Sequence, residues 1–248
     1  APGQFEINLL HHDDALLMAD QTFLLKRLIK NCAKQFNMNA TFMAKPFSDE
    51  AGNGMHVHLS VVDKDGNNVF TVDKNKQPQG LFSQAIGGLL KTTPDFLSFY
   101  APHSNSYRRL VHNADHAPTT LSWGNENRTA LIRLPEASAK ATRLEFRVAS
   151  ADSNPYLVFA SVLASVYAGI QGKLPLDKET IGNAHAQHPP SLGVTWREAV
   201  EKTSVSSIVK DFFGEQFQQC YQCVKESEIK RFESTITDFE YHSYLRCL

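Results

Sequence analysis

Charged and apolar side chains alternate in residues 143–147, the stretch of this chain with the clearest chemical potential. As a β-strand, it would place Arg143, Glu145 and Arg147 on one face, because successive side chains of a strand point to opposite faces. Leu144 and Phe146 would point the other way, toward a core. The polar face suits a site that binds phosphate or carboxylate groups bidentately and keeps one anionic ligand for a metal ion. A solvated ladder of salt bridges is the alternative.

Two other stretches carry polar groups with the same period of two. In residues 55–62, His56, His58 and Ser60 would share one strand face, while the residues between them point to the core. Residues 127–135 bring two more arginines, Arg128 and Arg133, to a second strand. If these strands join one sheet, their polar faces line a single cleft in which the arginines can clamp phosphate.

A metal site is predicted from two carboxylates and an imidazole on three such strands. Residues 4–9 alternate in polarity and would place Glu6 on the polar face of an N-terminal strand. Glu6, His56 and Glu145 could then hold divalent cations such as Mg²⁺, which prefers oxygen ligands and is completed by water and substrate phosphates. The imidazole extends the tolerance to Mn²⁺. A His-x-His pair or a lone glutamate is more often structural, so the joint pattern carries this prediction.

Smaller motifs leave chemical and structural roles open. Gly52 and Gly54 permit positive φ or close approach of the backbone to a ligand, and an ordinary turn explains them equally well. Arg109 lies in a long segment with little periodicity and could reach a substrate carboxylate, whereas a solvated basic loop is the alternative. Cys220 and Cys223 have the spacing of a redox or zinc half-site, but they fall on an amphipathic helix. We therefore interpret the two cysteines as core residues.

The composition is that of an ordinary globular protein. The 248 residues are 42% hydrophobic and 21% charged, with a net charge of −1, so nothing global points to nucleic acid or to an anionic membrane. No apolar run reaches the roughly 20 residues of a membrane span. Four cysteines in a chain of this size do not indicate a disulfide framework, and we expect a cytoplasmic protein.

Strands and helices follow one another without a regular βαβ period, which predicts an α+β fold. We expect one more strand over 39–44, an irregular segment over 101–124, a surface excursion over 172–194 and a helical C-terminal part over 195–248. A first helix, capped by Asp13 or Asp14, should continue to about Phe36, and helices should follow over 81–90 and 94–100. Asn154 and Pro155 should open a further helix through about Ile170. Apolar residues at four-residue spacing predict a buried stripe in the first helix; they are Leu24, Leu28, Cys32 and Phe36.

Together, these stretches resemble the glutamine synthetase family, specifically its C-terminal catalytic domain. The segments that carry the resemblance occur in the family's order and cover most of residues 1–170; they are 1–6, 40–46, 52–60, 105–110, 127–135 and 143–157. The resemblance implies the fold of that domain, a mixed or antiparallel curved sheet with helices packed on its outer face. It also implies an ATP-dependent ligase, which phosphorylates the γ-carboxylate of glutamate and then lets an amine displace the phosphate.

The resemblance also implies a role for each candidate residue. Two or more Mg²⁺ or Mn²⁺ ions would be bound with the help of Glu6, His56 and Glu145. The groups facing the phosphates of ATP would be His58, Ser60, Arg128, Arg133 and Arg143. Glutamate would be held by Arg109, Arg147 and the Gly52 region, and Arg109 and Arg128 would take part in catalysis.

Two departures from the family pattern concern the amine. Glutamine synthetases carry a glutamate next to Ala-Pro that helps to bind and deprotonate ammonium, whereas His116, with Asp115 beside it, precedes Ala117 here. The asparagine usual before the first glycine of the Gly-x-Gly-Met-His motif is replaced by Ala51. Both changes resemble the γ-glutamylpolyamine synthetase branch, in which a larger amine needs room. An ammonia-using glutamine synthetase is the alternative, and a catalytically silent structural or regulatory family member is an alternative of another class.

The resemblance finally bears on completeness and assembly. The family's other metal-binding glutamates and its β-grasp domain would precede Ala1, so we expect residues 1–248 to be an incomplete catalytic unit that is inactive alone. Stacked rings are typical of the family, which implies a homo-oligomer with active sites between subunits. The expected partners are therefore glutamate, ATP, ammonia or an amine and further copies of the chain, without nucleic acid or membrane.

Overall fold

The computed structural model describes residues 1–114, 116–192 and 194–247. Its helices are α1 (Ala15–Gln35), α2 (Gly80–Tyr100), α3 (Ser104–Arg109), α4 (Pro155–Gln171), α5 (Ala184–Gln187), α6 (Trp196–Val205), α7 (Ser207–Phe213), α8 (Glu215–Glu233) and α9 (Asp238–Tyr244). Its strands are β1 (Val57–Leu59), β2 (Thr71–Val72), β3 (Pro78–Gln79), β4 (Trp123–Asn125), β5 (Ile132–Leu134) and β6 (Leu144–Phe146). None of the helices in the described ranges combines the length and the apolar character needed to cross a bilayer.

Four short strands form the sheet that positions the polar residues. Their order is β1-β6-β5-β4, and β2 and β3 pair separately. The β1–β6 and β6–β5 pairs are antiparallel and the β5–β4 pair is parallel, so the sheet is mixed. Leu144, Phe146 and Ile132 are fully buried on its core face. The predicted α+β class, with a mixed sheet and packed helices, is confirmed.

The core is centred on α2, which packs along α4. The two helices meet at glycines: a Cβ atom on Gly88 would lie 2.2 Å from the Ser165 carbonyl oxygen, and one on Gly169 would lie 2.3 Å from the Gln84 carbonyl oxygen. Helix α4 begins as the sequence predicts, because the Asn154 side chain accepts from the second helical N–H and proline stands first.

Helix α2 is one helix, although the sequence predicts two. Pro94 lies inside it without interrupting it. The hydroxyl groups of Thr92 and Thr93 donate to the carbonyl oxygens four residues earlier, at 2.9 and 2.6 Å. Because almost every residue from Ala85 to Tyr100 is buried against neighbouring elements, packing outweighs the hydrogen bond that proline cannot make.

The strands predicted over 4–9 and 39–44 are wrong for the described structure. Neither segment has regular secondary structure or a ladder partner within the described residues. Alternation over 4–9 satisfies the strand pattern, but a strand also needs a neighbour to pair with its backbone. The nearest tie is Gln4, whose side-chain amide donates to the Gly52 carbonyl oxygen at 3.1 Å and to the Asn53 side chain at 2.6 Å.

Helix α1 begins as predicted but buries a different face. Asp14 caps it by accepting from the N–H groups of Leu16 and Leu17 at 2.9 and 3.0 Å. The predicted buried stripe is wrong, since its members are exposed; they are Leu24, Leu28, Cys32 and Phe36. The helix packs on α4 through the face that contains the buried Ala19. Apolar residues occupy more than one face of α1, so four-residue spacing alone could not select the buried one.

The C-terminal helices surround an aromatic cluster against α2. The ring of Phe99 lies 5.1 Å from Phe213, 6.1 Å from Phe217 and 4.6 Å from Tyr221, measured between ring centroids. Cys220 and Cys223 lie on α8 but are exposed and free, so their interpretation as core residues is wrong. The aromatic residues between and before them fill the buried face of the helix.

Residues 177–180 lie beside β4. The Thr180 N–H donates to the Trp123 carbonyl oxygen at 2.9 Å. The Glu179 carboxylate accepts from the Asn125 backbone and side chain at 2.9 and 2.8 Å, and from the Gln77 side chain at 2.7 Å. Leu192 is fully buried. The segment is therefore tied to the sheet by charged hydrogen bonds as well as by apolar packing.

Candidate active site

A row of polar side chains crosses the face of the sheet that is opposite the core. His58 on β1 lies opposite Glu145 on β6, and Glu145 lies opposite Arg133 on β5. Directly paired residues of antiparallel strands project from the same face. The register thus brings together groups that are 12 to 87 positions apart in sequence, and Glu145 stands at the centre.

Glu145 is buried and carries three polar contacts. Its Oε1 atom lies 2.5 Å from Nη1 of Arg147 and 3.0 Å from Nδ1 of His56, and its Oε2 atom lies 2.8 Å from Nη1 of Arg133. Burial by itself would raise the pKa of Glu145. The hydrogen bond from His56 and the guanidinium groups of Arg147 and Arg133 outweigh burial and hold that pKa well below its usual range. The carboxylate is therefore charged at neutral pH.

Arg133 connects this carboxylate to a second one that the sequence analysis missed. Its Nη2 atom donates to Oε2 of Glu126 at 2.5 Å. Glu126 has a φ of +51° and also accepts from the backbone N–H of Glu136. Within the described residues, Nε of Arg133 has no hydrogen-bond partner. Nothing in the local pattern of residues 124–128 marks Glu126, because its contact depends on how β4 and β5 pair.

Arg143 and His58, two of the groups predicted to bind phosphate, lie at the outer edge of the row. Nε of Arg143 lies 3.2 Å from Nδ1 of His58, and Nη1 donates to the Ala141 carbonyl oxygen at 3.2 Å. Burial lowers the pKa of His58, and the nearby arginines lower it further against the opposing effect of Glu145. A neutral imidazole can accept the hydrogen bond from Arg143. Ser60 and Arg128 are exposed.

Arg109 is buried, so the alternative of a solvated basic loop is wrong. It ends α3, and its guanidinium donates to the carbonyl oxygens of Val148 at 2.8 Å and of Arg147 at 3.1 Å. The glycine loop fits against it: a Cβ on Gly54 would lie 2.7 Å from Nη2 of Arg109, and one on Gly52 would lie 2.8 Å from Cγ. Burial and the neighbouring Arg147 lower the pKa of Arg109 to about 10, which leaves it charged at neutral pH.

His116 lies beside Arg147. The His116 carbonyl oxygen accepts from Nη2 of Arg147 at 3.4 Å, and His116 has a φ of +59°. Asp115 lies outside the described residues. This contact places the backbone before Ala117 next to one of the two arginines that were predicted to hold glutamate.

The predicted metal ligands are only partly brought together. His56 and Glu145 are in contact, whereas Glu6 lies on the exposed N-terminal segment. The described residues contain no group of three or more His, Cys, Asp or Glu side chains that could surround one ion. An imidazole beside a carboxylate that is charged at neutral pH nevertheless matches the donor types of a Mg²⁺ or Mn²⁺ site. The role of Glu6 stays a prediction.

The sequence matches one protein family and is similar to several known enzymes. The family described as glutamine synthetase, catalytic domain, matches residues 1–244. The chain is 38% identical over 240 residues to the gamma-glutamylputrescine synthetase of Escherichia coli, covering 97% of this chain and 50% of that protein. It is 36% identical over 251 residues to a glutamate–isopropylamine ligase of a Pseudomonas species, covering 98% and 54%. It is 34% identical over 255 residues to the glutamine synthetase of Methanococcus voltae, covering 99% and 56%.

The fold, the polar row and the relatives agree on the class of protein. A mixed sheet carries a charged carboxylate between an imidazole and guanidinium groups, and the relatives named above are synthetases and ligases. The chain belongs to the glutamine synthetase family and corresponds to that family's catalytic domain. It spans about half the length of the curated relatives that it matches.

Proposed function

We propose that this chain is the catalytic domain of an ATP-dependent ligase that joins the γ-carboxylate of glutamate to an amine through γ-glutamyl phosphate. One observation carries the proposal: the Glu145 carboxylate is held charged by His56, Arg147 and Arg133 at the centre of a polar sheet face. Catalysis of phosphoryl transfer consists mainly of positioning and charge neutralisation. A fixed anionic ligand ringed by guanidinium groups supplies both.

The residues divide the reaction between them. His56 and Glu145, with Glu6 as a further ligand, would hold Mg²⁺ or Mn²⁺, which would neutralise charge on the phosphates. Phosphate binding would fall to His58, Ser60, Arg128, Arg133 and Arg143. Transfer of the terminal phosphoryl group to the glutamate carboxylate releases ADP. The amine nitrogen then bonds to the acyl carbon, and inorganic phosphate leaves as the nitrogen loses a proton.

Arg147 and Arg109 would position glutamate in different ways. Arg147 shares its guanidinium between Glu145 and the His116 carbonyl, and Nε has no partner within the described residues. That N–H group is buried, so the proposal that Arg147 holds glutamate rests on the family resemblance and on the preference of guanidinium groups for carboxylates. Arg109 donates to the carbonyl oxygens of the two residues that directly follow β6, so it would support Arg147 and the Gly52 loop at the glutamate site.

We assign the acceptor to an alkylamine or polyamine. A site for ammonium benefits from a fixed carboxylate, and His116 stands where the family carries that carboxylate. Two relatives, 38% and 36% identical, are named for putrescine and isopropylamine. The relative from Methanococcus voltae, 34% identical, is named a glutamine synthetase and favours ammonia as the second candidate.

Release of ADP by the full-length protein that contains this chain tests the function. With glutamate and Mg²⁺, we expect faster release with putrescine or isopropylamine than with ammonium. A clear preference for ammonium would establish the second candidate instead. Absence of ADP release with every amine, in a protein that is folded and assembled, would contradict the ligase itself and favour a silent family member.

Two arginine variants separate the proposed roles. In the full-length enzyme, Arg147→Ala should weaken the use of glutamate more than that of ATP, and Arg143→Ala should do the reverse. The KM for each substrate, measured with the other saturating, reports the difference. Arg147→Lys keeps a charge beside Glu145 and serves as the control for lost stability. Equal changes in both KM values for both variants would contradict this division.

We also infer a cytoplasmic homo-oligomer of stacked rings for the full-length protein. The support is the family alone. Sedimentation of the full-length protein tests this inference, and a monomer that is fully active would contradict it.

A further inference from the structure

A groove lies between α1 and two segments that pack beside it, 39–43 and 151–155. It consists of two adjoining cavities of about 630 and 350 Å³, which share Lys26, Lys30 and Asp152 in their walls. We call this surface the α1 groove. Among the described residues, its walls have no member in common with the polar row around Glu145. The inference therefore does not rest on the proposed function.

Positive charge dominates the α1 groove. Its walls contain four cations from one helix and one carboxylate; they are Lys26, Arg27, Lys30, Lys34 and Asp152. Asp152 is already engaged by His103 Nδ1 at 3.0 Å and by the Ser106 hydroxyl at 3.1 Å. Within the described ranges, none of the four cations lies within ion-pair distance of a carboxylate. The groove thus presents charge that the chain does not neutralise by contact.

Two of the ammonium groups approach the same aromatic ring. Nζ of Lys26 and Nζ of Lys30 each lie 5.8 Å from the centre of the Phe42 ring. Lys26 also donates to the Ser153 carbonyl oxygen at 2.9 Å, and its stem is partly buried. Lys26 and Lys30 are four residues apart and therefore neighbours on one face of α1, where one tetrahedral anion could contact both. Because Lys26 is already held by its hydrogen bond, it loses less side-chain entropy on binding than a free surface lysine.

An aromatic side chain lines the larger cavity on the N-terminal side of the two lysines. Phe23 lines the larger cavity and is half exposed. At a rise of 1.5 Å per residue, Phe23 and Lys30 are separated by about 10 Å along α1. That separation matches a planar ring joined to a phosphate group through a sugar. The amide side chains of Asn31 and Asn39 line the same cavity and can bond to the edge of such a ring.

We propose that the α1 groove binds a nucleoside phosphate, with the phosphate between Lys26 and Lys30 and the base against Phe23. Burial lowers the pKa of Lys26 to about 8, so at pH 8 far more of this amine is neutral than of an ordinary lysine. A bound phosphate favours the charged amine. The occupied groove therefore protects Lys26 from acylation both sterically and by keeping its proton.

The test uses AMP with residues 1–248 in the presence of a chelator, so that binding through metal ions is excluded. We expect saturable binding of AMP, and at least tenfold weaker binding by Lys26→Met/Lys30→Met. The matched control is Lys64→Met/Lys74→Met, which removes two exposed lysines elsewhere and should leave affinity unchanged. Equal affinity of the Lys26/Lys30 variant and the unaltered chain would overturn the proposal.

A second measurement needs no substitution. AMP should protect Lys26 and Lys30 from amine acylation at pH 8, as mapped by mass spectrometry, and should not protect Lys64. Adenosine and inorganic phosphate, each offering half of the ligand, should protect at least tenfold less well at equal concentration. Failure of AMP to protect the two lysines would overturn the site. Equal protection by inorganic phosphate would overturn the assignment to a nucleoside phosphate.

Discussion

Among single residues, Arg147 has the tightest link between stability and function. Its guanidinium is 3% exposed and lies between the Glu145 carboxylate and the His116 carbonyl oxygen. Arg143 is on the same strand face, but it contacts a neutral imidazole and one carbonyl oxygen at the outer edge. Replacement of the buried Arg147 should therefore lower the free energy of unfolding more than replacement of the peripheral Arg143.

Arg147→Met should lower the free energy of unfolding by about 3 kcal/mol, because it leaves the buried Glu145 with less compensating charge. Arg143→Met should lower it by less than about 1 kcal/mol, as expected for a peripheral polar contact. Urea denaturation of both variants measures the difference. Equal losses would mean that Arg147 does not balance the charge of Glu145 in the fold.

Among elements, two contacts hold the scaffold beneath the polar row. Helices α2 and α4 cross at Gly88 and Gly169, where a side chain would meet backbone atoms. Residues 172–194 are tied to β4 through Glu179. The crossing of α2 and α4 depends on shape, so its contribution to stability should not change with pH. The contact through Glu179 depends on charge, so its contribution should change with pH.

Gly88→Ala tests the shape of the crossing. Alanine normally stabilises a helix relative to glycine by up to about 1 kcal/mol. Here its Cβ would lie 2.2 Å from the Ser165 carbonyl oxygen, so we expect a net loss of about 2 kcal/mol from forced separation of the helices. Thermal unfolding measures it, with Lys91→Ala on the exposed side of α2 as control. A stabilised Gly88→Ala variant would show that the crossing is looser than described.

Glu179→Gln tests the charged tie. Burial would raise the pKa of Glu179, but donors from Asn125 and Gln77 outweigh burial and lower it. The ionised form therefore stabilises the fold above the unfolded-state pKa of about 4.3, and this contribution disappears as the pH falls through the folded-state pKa.

The stability gap between the unaltered chain and Glu179→Gln should be about 1 kcal/mol near pH 7 and should shrink below pH 4. Thermal unfolding at a series of pH values measures the gap, and Glu201→Gln on the exposed face of α6 serves as control. A gap that is constant from pH 7 to pH 3 would assign the effect to packing of the amide.

For the whole molecule, the described surface is unusually apolar near the N-terminus. Phe5 and Leu10 are 88% and 89% exposed, and Leu24 and Leu28 lie exposed on α1. Contiguous exposed apolar residues favour association and dye binding, whereas scattered ones do not.

Leu24→Ser/Leu28→Ser should therefore reduce the binding of an apolar fluorescent dye to residues 1–248 at least twofold and should lower light scattering at the same concentration. Ile181→Ser/Val205→Ser changes two exposed apolar residues that lie on other elements and should have little effect. Unchanged dye fluorescence in the α1 variant would show that this face is covered in solution.

Much of the local structure is predictable from the sequence because its causes are local. Alternation over 143–147 determines which side chains face the core, and Leu144 and Phe146 are indeed fully buried. Asp14 and the pair Asn154 and Pro155 mark helix starts, since a cap and its first turn are adjacent in the chain. The motifs that indicate the family are likewise short, contiguous stretches.

Tertiary structure alone decides which groups meet. The pairing of β1, β6 and β5 places His56, Arg133 and Arg147 around Glu145, and the pairing of β4 with β5 brings in Glu126, which no local pattern marks. Tertiary packing also determines that Arg109 is buried. Periodicity tells which face of a segment is polar, but register and packing depend on residues far apart in the chain. The sequence by itself therefore determined the kinds of group available for chemistry, and long-range pairing determined their neighbours.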